Sequence, residues 1–119
     1  MGDSRRLYTD PSILKDDTMD YGIEVREQEA VVRLRGRLTF NDHAKLRTLI
    51  GEMGQNKPRR QVLDLSSLEF VDSAGIGMLL IAREEMERAD KQFVLRAAAG
   101  QVKRVLTVAQ IAKIVPIED

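Results

Sequence analysis

Gln61 to Leu80 reads QVLDLSSLEFVDSAGIGMLL, and its interpretation decides the fold. Val62, Leu63 and Leu65, interrupted only by Asp64, form the short apolar run of a buried strand. Ser66 to Val71 is expected to carry the chain out of that strand as a loop. Asp72-Ser73-Ala74-Gly75 then opens a second apolar run, Ile76 to Ala82, which continues into AREEMERAD, a segment rich in strong helix formers. The stretch predicts strand, loop, helix, with Ser73 in the helix's first turn. Asp72 and Ser73 each carry a side-chain oxygen suited to accept a free backbone N–H at a helix start. Gly75 and Gly77 lower helix propensity there and leave the backbone uncrowded around Ser73.

Upstream, Tyr21, Ile23 and Val25 alternate with polar residues, which predicts a strand over 21–26. A polar turn, Glu27 to Glu29, separates it from a second strand over 31–35, ending at Gly36. Strands joined so closely should pair antiparallel. Leu46, Leu49, Ile50 and Met53 have the spacing of a one-sided helix, capped by Thr39 or Asn41 and stopped before Pro58. Arg59 and Arg60 then lead into the central strand as a solvated loop. Downstream, Phe93-Val94-Leu95 predicts a strand over 93–96. Val102, Val105, Leu106 and Ala109 predict a helix over 100–109, and Ile114-Val115 a last strand over 113–115, ended by Pro116. The crossovers after residue 61 should be right-handed and the strands they join parallel. The expectation is an α/β domain over 21–119: a mixed sheet of about five strands with three helices, mostly on one face. Residues 1–20 mix Asp, Arg, Ser and Thr with scattered apolar side chains and read as a flexible extension, in which Ile13 and Leu14 are the candidates for packing.

Composition narrows the function. A length of 119 residues suits one domain, and 43% hydrophobic residues suffice for a core. Nineteen basic and nineteen acidic residues cancel, so no charge favours nucleic acid or an anionic membrane. Cysteine is absent and His43 is the only histidine, which argues against disulfides and cysteine or multi-histidine metal sites. With no membrane-length apolar run and no signal-peptide pattern, a cytoplasmic location is expected.

The residues LEFVDSAGIGMLL following a strand resemble the STAS domain, shared by sulfate transporters and bacterial anti-sigma factor antagonists. The resemblance extends over roughly Asp20 to Pro116 and includes GRLTFNDHAKLR at the first helix. It implies that Ser73, preceded by Asp72, is the serine phosphorylated by a partner anti-sigma kinase, with Ala74, Gly75 and Gly77 in the phosphosite loop. Many antagonists carry an acid where Thr39 stands here; Asp42 lies three residues on.

The residues themselves leave Ser73 three roles: helix cap, nucleophile or phosphoacceptor. A nucleophile elbow needs a glycine where Val71 stands, and a positioned base. A phosphate suits the free N–H groups of a helix start, although Asp72 opposes its charge. Gly75-x-Gly77 lacks both the third glycine of a dinucleotide fingerprint and the lysine of a P-loop, so no cofactor is expected and ATP belongs to the partner.

On the helix, Gly75, Met78, Leu79, Ala82, Met86 and Ala89 form the expected core stripe. Ile76 and Leu80 fall off it, beside Arg83 and Glu87, as either a docking surface or a flank covered by the next helix. With Thr39 and Asp42 these complete the expected partner-binding set. The expectation is a non-enzymatic anti-sigma factor antagonist whose unphosphorylated form binds a GHKL-type serine kinase and whose phosphate a serine phosphatase removes. The alternative is an unmodified STAS subunit of a lipid-transport or signalling assembly.

Overall fold

The computed structural model describes residues 19–119. The proposed extension, with Ile13 and Leu14, lies outside them up to residue 18, whereas Met19 and Asp20 already belong to the first strand. The elements run β1 (Met19–Val25), β2 (Glu29–Leu38), a 3-10 turn (Phe40–Asp42), α1 (His43–Gln55), β3 (Arg60–Val71), α2 (Ser73–Arg88), β4 (Gln92–Arg96), α3 (Gly100–Val108), a second 3-10 turn (Ile111–Lys113) and β5 (Ile117–Glu118). Spatial and sequence order coincide across the five-stranded sheet. β1 pairs antiparallel with β2, and every later pair is parallel.

Each parallel pair needs a crossover, and each of the three helices supplies one. Steps of one hand in one direction stack the helices on one face. The core lies there. Leu34, Leu63, Leu65 and Leu95 from the strands meet Leu49 and Met53 of α1, Leu79 and Met86 of α2, and Val102 and Leu106 of α3 in one cluster.

The opposite face is held differently. Val31, Val62 and Val94 lie in register across β2, β3 and β4 and form a separate buried row. Glu29 and Arg60 lie on one side of that row; Arg96 and Glu118 lie on the other. Arg60 bonds both Glu29 and Glu118, and Arg96 bonds the same two carboxylates at 3.4 Å. These ion pairs run from one side of the valine row to the other. The Arg60 guanidinium is the main reason that both Glu29 and Glu118 are held below the usual glutamate pKa.

Several expectations need correction. Ser66 to Val71 is not a loop, and β2 does not stop at Gly36: both strands continue until Leu38 pairs with Val71. The ladder skips one residue of β3 between Arg33/Asp64 and Arg35/Ser67, and another between Gly36/Leu68 and Arg37/Phe70. The Asp64 carboxylate accepts the Ser66 N–H at 2.8 Å, and Gly36 takes φ +88°. Such bulges break the period-two pattern by which a strand is read. The last strand begins after Pro116, not before it. The Ile114 and Val115 N–H groups both close a turn on the Ile111 carbonyl, with Val115 buried and Ile114 exposed, so that apolar pair marks a turn rather than a strand. Ala89 and Ala109, expected on core stripes, are exposed. Both follow the last turn of their helices, where the chain leaves the sheet.

Candidate functional site

β2 and β3 end side by side, and the next residue of each chain segment starts a helical turn. Thr39 opens the 3-10 turn and Asp72 opens α2, while the Asp72 N–H donates to the Leu38 carbonyl at 3.2 Å. The carboxyl edge of two central parallel strands thus presents two helix starts together, the usual location of ligand and partner sites in such sheets.

Asp72 is the cap of α2. Its backbone is extended, one carboxylate oxygen accepts the Gly75 N–H at 2.7 Å, and the other accepts the Phe40 N–H at 3.4 Å. That resolves one ambiguity of the sequence. Ser73 is the first helical residue rather than the cap, and it is exposed. Its hydroxyl stands at the surface with the cap already supplied by its neighbour.

The two glycines differ. A methyl group on Gly75 would lie 2.6 Å from Val71 Cγ2 and 2.7 Å from the Leu38 carbonyl oxygen. Only a bare Cα lets α2 sit against the strand ends. A methyl group on Gly77 would meet nothing within 4 Å. Packing accounts for the first glycine and not for the second.

Several expected partner residues prove structural. Asp42 is only 5% exposed; its carboxylate accepts the Met19 N–H at 3.0 Å and the Thr39 N–H at 2.9 Å, closing a capping box with Thr39. It is consumed in fastening β1 to the 3-10 turn, and is no substitute acid at Ser73. Ile76 is buried and belongs to the main core, while Leu80 is half-buried and packs against it. They are not a free apolar pair. Their flank of α2 abuts the segment before β5, where the Arg83 guanidinium donates to the Ile114 carbonyl at 3.2 Å. Arg83 also pairs with Glu87 at 3.0 Å. The exposed large apolar residue of α2 is Ile81.

One surface residue escaped the sequence reading. Phe40 is 70% exposed and its ring stacks on His43, with centroids 6.2 Å apart. The available signal was an aromatic residue between Thr39 and Asn41, in a polar turn that belongs to no apolar stripe. Among the described residues, no helix is long and apolar enough to cross a membrane.

Comparison with known proteins fits this architecture. The family model described as "Mlab, STAS domain" matches residues 22–116. An anti-sigma F factor antagonist of Paenibacillus polymyxa is 31% identical over 104 residues, spanning 85% of this chain and 89% of that protein. A STAS-domain-containing protein of Pseudomonas aeruginosa is 28% identical over 90 residues, spanning 76% of this chain and 88% of that protein. The crystal structure of an anti-sigma factor antagonist from Mycobacterium paratuberculosis shares the fold with a TM-score of 0.76 at 24% identity, covering 86% of each chain.

Proposed function

This chain belongs to the STAS-domain family, and we propose that it is an anti-sigma factor antagonist switched by phosphorylation of Ser73. Unphosphorylated, it binds a serine kinase of the GHKL type that also serves as the anti-sigma factor, and so frees a sigma factor. The partner binds the ATP; this chain contributes the acceptor hydroxyl and no catalysis. A serine phosphatase resets the switch. The observation that carries the reading is an exposed Ser73 at the first helical position, directly after a cap that leaves its hydroxyl unused.

The physical argument concerns where the phosphate's charge would lie. A phosphoserine adds about −1.5 to −2 charges at neutral pH. Helix N–H groups favour an anion there, but the Asp72 carboxylate already takes the Gly75 N–H and repels a second anion. The phosphate is therefore not drawn inward, and the fold changes little. Its charge stays on the rim formed by Thr39, Ser73, Ala74 and Gly77, with the exposed edge of Leu80 and the Arg83–Glu87 pair farther along α2. A partner docked on that rim would have to desolvate a dianion, which costs several kcal/mol.

The test is incubation with a purified GHKL-type anti-sigma kinase and ATP, followed by mass spectrometry. Phosphate on Ser73 in the wild type and none in Ser73→Ala is the expected result. The absence of both binding and phosphate transfer would favour the second reading, an unmodified STAS subunit of another assembly, to which the match with the "Mlab, STAS domain" model gives some support.

A further inference from the structure

Phe40 is a second feature of this surface, after Gly77, that packing does not explain. The residue is 70% exposed, yet its backbone is tied into the turn. Thr39 caps its turn, its N–H reaches the Asp72 carboxylate at 3.4 Å, and its ring stacks on His43. An aromatic side chain in water gains little from being immobilised. In an interface, by contrast, an aromatic residue whose backbone is already fixed loses less conformational freedom on binding. Aromatic anchors of this kind carry much of the affinity of protein interfaces.

The position is as telling as the exposure. The Phe40 N–H bonds to Asp72, the residue directly before Ser73, so the turn that carries the ring stands beside the helix start that carries the hydroxyl. Val108, more exposed still at 83%, stands at the end of α3 without a tether of this kind.

We infer that Phe40, tethered to Asp72 and stacked on His43, is the anchor by which the Ser73 rim engages its kinase partner, the ring entering an apolar pocket on that protein. This rests on the reading of Ser73 given above. A phosphate on Ser73 then acts beside the anchor rather than at a distance from it.

The experiment is a titration of a purified GHKL-type anti-sigma kinase into the wild type, Phe40→Ala and Val108→Ala, with a melting curve for each. Phe40→Ala should lose about thirtyfold in affinity while melting close to wild type, because the ring contributes little to the core. Val108→Ala should bind like wild type. Wild-type affinity in Phe40→Ala, or an equal loss in Val108→Ala, overturns the anchor alone. Failure of the wild type itself to bind overturns the functional reading and the anchor with it.

Discussion

The first two turns of α2 have two sides that obey different rules. Inward, Gly75, Ile76 and Leu79 are fixed by what they touch: a strand end, a backbone carbonyl, the main core. Outward, Ser73, Gly77 and Ile81 are left open by the fold. The same helix, over fewer than ten residues, carries one surface whose chemistry is dictated by packing and another whose chemistry is not. Residues on the second side have no structural reason to be what they are, and that is where a functional one is to be sought.

Changes on the inward side should be the most damaging. Ile76→Glu places a carboxylate in the core and should cost several kcal/mol, enough to unfold a marginal domain. Leu80→Glu should lower the melting temperature less, because that side chain is only partly buried. An unchanged melting temperature in both would mean that this flank is open after all. Leu79→Ala should cost about 2–5 kcal/mol by cavity formation. Gly75→Ala should cost about 1–3 kcal/mol by overpacking, since the Leu38 backbone cannot step aside. Denaturant midpoints check both.

Acid acts on the open sheet face. Glu29 and Glu118 are held below their ordinary value of 4.5 in the folded protein. Their stabilising effect is therefore complete above about pH 4.5 and lost as pH falls through the lower folded values. Stability measured between pH 7 and pH 3 should fall in that window, and Glu29→Gln should flatten the fall. The smallest effect on stability belongs to the outward glycine. Gly77→Ala should be neutral or stabilising by up to about 1 kcal/mol, as a helix interior prefers alanine. If it destabilises as much as Gly75→Ala, the contrast between the two sides collapses.

The same contrast explains what was legible in the sequence. Leu46, Leu49, Ile50 and Met53 announced α1 because a one-sided helix must repeat its apolar residues. The strand core of residues 61–65 and the helix start at Ser73 were equally plain. Ser66 to Val71 was misread because two bulges erase the alternation that marks a strand. Ile76 and Leu80 were misplaced because helical periodicity locates the centre of a buried face but not its width, which is set here by the segment before β5. Asp42 was given to the surface because sequence shows a carboxylate and not the two N–H groups it accepts. Phe40 was overlooked because an exposed aromatic in a turn leaves no periodic trace.

The central claim is that the outward side of α2 is a switch thrown at Ser73. Kinase affinity, compared between unphosphorylated wild type, wild type phosphorylated on Ser73, Ser73→Ala and Ser73→Asp, tests it most directly. The account predicts tight binding by the unphosphorylated protein and by Ser73→Ala. It predicts a loss of about a hundredfold or more on phosphorylation, as expected for several kcal/mol of desolvation at tenfold per 1.4 kcal/mol, with Ser73→Asp also weakened. Equal affinity in all four proteins would contradict it and reduce Ser73 to an ordinary residue of a helix start.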